Sequence, residues 1–182
     1  MIRRGYHHGD LRAALIAEGL RLLAARDAES LSLREVARGV GVSATSVYRH
    51  FPDKDALMTA LAVEGLKQLG TAQGEASAAA GGGMAGFAAT GRAYVRFALD
   101  QPALFRLIFA SPALLAERDA EQIGATQAGE MLLANAARQA GQDGGDAQVR
   151  AIKAWALVHG LAMLMLDGQI PVDYDLIDRA IG

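Results

Sequence analysis

The 182 residues contain no cysteine, which removes disulfides, thiolate metal ligands and thiol nucleophiles from the chemistry open to the chain. Aromatic residues make up only 5% and prolines number four. No stretch alternates apolar and polar residues as a half-buried strand would. No run of about 18 consecutive apolar residues occurs, so no helix is expected to span a membrane. Met1 to Asp10 lacks the apolar core of a secretion signal, and a cytoplasmic protein is the expectation. Phosphate loops, nucleophile elbows and zinc-ligand spacings are also missing. His7 and His8 are adjacent, so their side chains diverge, and His159 is flanked by apolar residues with no carboxylate on its face. No catalytic residue, metal site or cofactor is therefore expected.

What the chain has is apolar residues, 52% of the total, enough for a sizeable core. Alanine and leucine lead, and both lose little rotamer freedom in a helix. Charge is nearly balanced at −2 but unevenly spread. Residues 1–58 hold nine Lys/Arg against seven Asp/Glu and three of the four histidines; residues 59–182 hold nine against thirteen. A basic front on an acidic body suggests that the front end meets an anion.

Periodicity predicts an all-α chain of about nine helices. The first covers about Asp10 to Ala25, with Leu11, Leu15 and Leu22 at helical spacing. Ser32 opens the second, with Glu35 three residues later as in a capping box. Gly39 and Gly41 stop it. Ser43 caps a short third helix, and Phe51-Pro52-Asp53 ends that one and starts a fourth, expected to reach about Thr71. Ala78 to Gly83 reads as a loop. A fifth helix follows to Asp100, a sixth from Pro102 to Ala110, and a seventh from Pro112 to about Ala140. The eighth spans about Ala147 to Leu166 and the last Tyr174 to Ile181.

The informative stretch is Leu31 to Leu57. Two short capped helices, 32–39 and 43–50, flank the tight turn Gly39-Val40-Gly41-Val42, the layout of a helix-turn-helix. Val36, Val42 and Val47 are placed to seal the pair. Ala44, Thr45, Ser46, Tyr48 and Arg49 point outward: small side chains allow approach to a major groove, while hydroxyls, tyrosine and arginine suit phosphates and base edges.

The run LSLREVARGVGVSATSVYRHFPDKDAL, residues 31–57, and the opening Tyr6-His7-His8-Gly9-Asp10-Leu11-Arg12 resemble the DNA-binding region of the TetR/AcrR family of repressors. The resemblance covers about residues 6–60. It implies a helix-turn-helix domain over 1–56 and a helical sensing and dimerisation domain over 57–182. It also implies that a homodimer binds a palindromic double-stranded DNA operator and is released by a small-molecule effector. A ligand-independent regulator or an activator is the alternative. By the same resemblance Tyr48 lies against the sugar-phosphate backbone, Lys54 neutralises a phosphate, Ser46 and His50 make backbone contacts, Arg34 reaches a groove, and Ala44 and Thr45 read bases. Alanine at 44 offers at most a methyl contact to thymine. Each has a plainer use too: Tyr48 packing on the first helix, Lys54 and Arg49 as solvated charges, His50 as a structural residue.

Farther along, Trp155-Ala-Leu-Val-His159-Gly160 resembles the Trp-x-x-x-His-Gly motif of one group of C-terminal domains in that family. Trp155 and His159 share a helix face, which Ile152, Ala156, Met163 and Leu166 extend. Leu157, Leu161 and Leu164 form another. A helix apolar on two sides is buried on two sides, one in its own domain and one against a partner subunit; which face does which is open. A ligand pocket is expected from Phe97, Phe105, Phe109, Met131, Trp155, His159 and Met163, if their helices converge. A helical adaptor that binds only proteins would fit the acidic body but would have no use for the short polar third helix.

Overall fold

A computed structural model of the chain describes residues 11–111 and 146–182. The expected seventh helix, Met131 with it, and Tyr6 to Asp10 lie outside those residues. Eight α-helices stand among the described ones: α1 Leu11–Leu23, α2 Leu33–Val40, α3 Ala44–Tyr48, α4 Lys54–Ala79, α5 Gly83–Asp100, α6 Pro102–Ala110, α7 Ala147–Leu166 and α8 Tyr174–Ile181. A single 3-10 turn, Ala28–Ser30, links α1 to α2. The described residues form helices and no strand, as the periodicity predicts.

Side-chain caps set most of the helix starts. The Ser32 hydroxyl accepts from the Glu35 amide at 3.3 Å, Asp53 Oδ1 from Ala56 at 2.7 Å, Asp146 Oδ1 from Gln148 at 2.8 Å, and Asp173 Oδ1 from Leu176 at 3.1 Å. Each satisfies one amide that the first helical turn leaves without a partner. At Ser32 only one arm of the expected capping box forms. The Glu35 carboxylate turns away to accept from Arg26 Nη2 at 2.5 Å, because a guanidinium is the stronger donor for a carboxylate.

α4 is the spine. Its first turns, with Leu57, Ala60 and Leu61 buried, pack on α1; farther along it packs against α5 and α6. A Cβ at Gly65 would come within 2.6 Å of Leu104 Cδ1, so glycine sets how closely α4 and α6 cross. α5 lies along α4 on one side and α7 on another, and α8 touches α5 and α7. Buried side chains from α1 through α8 form one continuous cluster. α4 runs eight residues past its expected end at Thr71. The extension is rich in alanine, which holds a helix without adding a periodic apolar stripe.

α7 has a mean hydropathy of 1.5 over its most apolar 18-residue window, which by length and composition alone is enough to cross a membrane. No continuous apolar run shows this, because Arg150, Lys153 and His159 interrupt the helix while the residues between them keep the mean high. The helix puts Ala151, Val158, Leu161, Ala162 and Met165 into the protein's own interior and leaves its other side exposed.

Candidate nucleic-acid interface and aromatic cluster

The turn between α2 and α3 is built on Gly41, at φ 79°, a left-handed conformation that a side chain resists. Its amide donates to the carbonyls of Ala37 and Arg38, and Val42 returns its amide to Ala37 at 2.9 Å. The reversal brings α3 against α2, with Val36 and Val47 fully buried between them and Val42 packed on the cluster. Phe51, 1% exposed, anchors the corner after α3, and the Arg12 guanidinium lies 5.4 Å from its ring centroid.

With Val47 turned inward, the rest of α3 and its flank face outward. Thr45, Tyr48 and Arg49 are exposed; Ala44, Ser46 and His50 are half-buried. Arg34 is exposed in the first turn of α2. The structure thus places the sequence-predicted contact residues on one short, polar, solvent-facing unit. Two already have intramolecular partners. Ser43 Oγ accepts the Ser46 amide at 3.2 Å and lies 2.8 Å from the Ser46 hydroxyl, so that hydroxyl takes part in the cap. Lys54 is half-buried, and its Nζ donates to the Glu29 carbonyl at 2.5 Å, tying the start of α4 to the 3-10 turn. An ammonium has three protons, and two are left for an acceptor outside.

Behind this surface Glu18 on α1 lies against Gly39 of α2, leaving no room there for a side chain. Its carboxylate accepts from Arg21 Nε and Nη2, both at 2.7 Å. That hydrogen bond and the charge of Arg21 hold the Glu18 carboxyl below the ordinary glutamate range against the opposing pull of burial.

In the C-terminal half, α5, α6 and α7 bring Tyr94, Phe105, Phe109, Trp155 and His159 together. Phe105 and Phe109 lie 4.8 Å apart between centroids, Phe109 and His159 4.9 Å, and Tyr94 meets Phe105 edge-on at 5.4 Å. A polar chain runs through the rings: Trp155 Nε1 donates to the Tyr94 hydroxyl at 3.3 Å, and that hydroxyl lies 2.9 Å from His159 Nδ1. Four of the seven residues expected to form a pocket therefore converge. Phe97 stands apart, lining an open cavity of about 610 Å³ between α4 and α5 with Ala76, Arg92 and Arg96. Met163 is half-buried against the core. Tyr94 was missed; the signal was there, since a tyrosine in an apolar helix needs a partner for its hydroxyl.

The three leucines expected to share one face of α7 divide. Leu157 and Leu164 are 47% and 46% exposed, whereas Leu161 is 9%. Ile152 and Ala156, expected beside Trp155, are exposed as well. The outward row is Val149, Ile152, Ala156, Leu157 and Leu164, with the exposed Lys153 among them. Arg106 pairs with Asp167 to tie α6 to the end of α7, and Arg96 pairs with Asp178 at 3.2 Å to hold α8 on α5.

Two family models match the chain. Residues 15–61 match the family described as bacterial regulatory proteins, tetR family, and residues 87–181 match the tetracyclin repressor-like C-terminal domain. No curated protein matches the chain. Among solved structures, a protein of unknown function from Rhodococcus sp. RHA1 is 32% identical, with 98% of this chain and 94% of that one covered at a TM-score of 0.75. A TetR family transcription regulator from Marinobacter aquaeolei VT8 is 20% identical over 95% of this chain and 92% of its own, TM-score 0.65. A tetR-family transcriptional regulator from Streptomyces coelicolor is 21% identical over 97% and 79%, TM-score 0.65. At these last two identities the likeness is one of fold.

Proposed function

Because the chain belongs to the TetR family of bacterial transcription regulators, we propose that it is a repressor: a homodimer that binds a palindromic operator and leaves it when a small molecule enters the C-terminal half. The observation that carries the DNA part is the outward face of α3, where Thr45, Tyr48 and Arg49 are exposed on a helix anchored by one buried valine. A five-residue helix contributes too little apolar area to the fold to account for its own geometry. It is held by the Gly41 turn, the Ser43 cap and the Phe51 corner, and it presents hydroxyls, a phenol and a guanidinium to a partner bearing phosphates. Tyr48, Ser46, His50 and Lys54 serve the backbone in this reading, Arg34 reaches into the groove, and Ala44 and Thr45 meet the base edges.

The homodimer rests on the apolar outward row of α7. Two such rows from two copies would bury each other, and the resulting two-fold would set two α3 helices to successive major grooves, about 34–36 Å apart along the duplex. The effector part rests on the aromatic cluster, which joins apolar walls to a hydroxyl and an imidazole, the mixture small-molecule sites use. Trp155 and His159, joined through Tyr94, support placing the C-terminal half in the Trp-x-x-x-His-Gly group. An intracellular, DNA-associated protein with no catalytic role follows from the same reading.

The test is direct. Binding of duplex DNA is measured at several salt concentrations, alongside sedimentation at micromolar protein. A dimer whose DNA affinity falls linearly on a log-log salt plot supports the reading. A monomer, or a protein that ignores duplex DNA at low salt, sinks it.

A further inference from the structure

Gln73 on α4 is 8% exposed. Its amide Nε2 donates to the Thr90 carbonyl on α5 at 3.2 Å, while its Oε1 is buried with no hydrogen-bond partner. The amide cannot be turned over to relieve this, since Oε1 would then face the Thr90 carbonyl, acceptor against acceptor. The nearby Thr90 hydroxyl is also spent, donating to the Phe87 carbonyl at 2.6 Å. A buried acceptor without a donor is destabilising, and an apolar side chain of the same length would avoid the loss. Gln73 therefore holds an acceptor in readiness.

Its position says for what. α4 and α5 run antiparallel, with Gln73 against Thr90 and Ser77 against Gly86. Tyr94 follows Thr90 by one turn on the same face of α5, and both are buried. The Tyr94 hydroxyl is the hub of the polar chain to Trp155 and His159. Gln73 thus sits opposite Thr90, one turn of α5 before Tyr94.

We propose that the effector is a compact apolar molecule carrying a hydrogen-bond donor, a hydroxyl or an N–H, which Gln73 Oε1 accepts while the ring cluster holds the apolar frame. Carboxylates and ethers, which bring only acceptors to this oxygen, are rejected. The proposal rests on the reading that a small molecule enters the C-terminal half.

Matched probes test it. Cyclohexanol and cyclohexyl methyl ether differ in the donor and do not absorb where tryptophan is excited, and Trp155 is the only tryptophan in the chain, so its fluorescence reports their binding. Phenol and anisole form a second pair, read by calorimetry. In the wild-type protein the donor-bearing member of each pair should bind at least about 10-fold tighter, equivalent to about 1.4 kcal/mol. In Gln73→Leu the gap should close to within about two-fold, with the fold intact because an unpaired acceptor has been removed. If the leucine variant does not fold, Gln73→Met, straight-chained and of similar length, takes its place. Equal binding within each pair, a gap that survives in the variant, or no saturable binding of any of the four probes overturns the proposal. Operator binding measured in the same samples keeps the two readings apart. DNA that stays bound while the donor preference holds defeats release by effector but leaves the ligand class standing.

Discussion

Of the five residues in α3 only Val47 is buried, and its outward side together with Arg49 just beyond it is hydroxyl, phenol and guanidinium. Along the twenty residues of α7 an inner row is buried, and the outward side is Val149, Ile152, Leu157 and Leu164 with Lys153 exposed among them. Both helices leave a surface that folding alone does not use. A polar surface loses little in water and is free to exchange water for phosphate oxygens. An apolar surface in water is a standing cost of about 25 cal/mol per Å², removed when a matching surface covers it. The first suits a partner that comes and goes with salt and sequence; the second suits a partner that stays.

The largest effect expected from breaking this contrast comes from Leu157→Glu combined with Leu164→Glu. Both side chains are nearly half exposed, so helical content should hold while sedimentation shows monomers. Operator affinity should fall about 100-fold or more as the linked second half-site is lost. Leu161→Glu, four residues from Leu157 but 9% exposed, should instead unfold the domain, since a buried unpaired carboxylate has nothing to compensate it. Dimers that survive the double variant would remove the outward row as the seam.

Next in size, Lys54→Ala should weaken binding to every DNA sequence alike and lower the salt slope by about one per half-site. It should also cost up to about 1 kcal/mol in thermal stability, because the Glu29 carbonyl loses its donor. Thr45→Ala should leave the salt slope alone and change the ranking of operator variants. If the two exchange effects, the assignment of backbone and base contacts is reversed.

Ser43→Ala removes the α3 cap and should cost about 1 kcal/mol, seen as a lower melting temperature. It should also weaken DNA binding, since the Ser46 hydroxyl loses its local partner and the helix start loosens. Unchanged stability would show that the Gly41 turn holds α3 unaided.

The smallest effect is that of pH. Glu18 has its folded pKa below the ordinary value of 4.5, chiefly through the Arg21 hydrogen bond. Its stabilising effect is complete above the unfolded value and disappears as pH falls through the lowered folded value. Acid unfolding of Glu18→Gln should therefore show a shallower pH dependence below about pH 4.5, with little change at neutral pH. An identical acid profile would mean that the pair is worth nothing in solution.

The elements themselves were legible in sequence wherever a cap and a stripe coincided. α7 and α8 were expected at 147–166 and 174–181 and are found there, because Asp146 and Asp173 supply caps and Gly168 and Pro171 supply a stop. The helix-turn-helix was legible for the same reason: Ser32, Gly41, Ser43 and Asp53 act within four or five residues of themselves. The end of α4 was not. Thr71 to Ala79 carries no stripe to count, and its helix is held by packing along α5. The Ser32 capping box was half right, because the competing partner of Glu35 is Arg26, nine residues away.

The candidate site divides the same way. The outward face of α3 could be read from five consecutive residues, since a helix that short has one inward position. The aromatic cluster could be read only in part. Phe105, Phe109, Trp155 and His159 share it, but Phe97 leaves it and Tyr94 supplies its polar centre. Position on a helix says which residues share a row, and not which neighbouring helix that row meets.

By itself the amino-acid order determined that this chain is helical, where its capped helices begin, and which short polar helix faces outward, because each of those depends on contacts within a turn or two. Only the tertiary structure decided that Leu161 goes inward while Leu157 and Leu164 stay in water, that Lys54 spends one proton on Glu29, and that Gln73 keeps a buried oxygen without a donor. Each of these depends on the angle at which one helix crosses another, and that angle is set by the whole packed core rather than by any stretch of sequence.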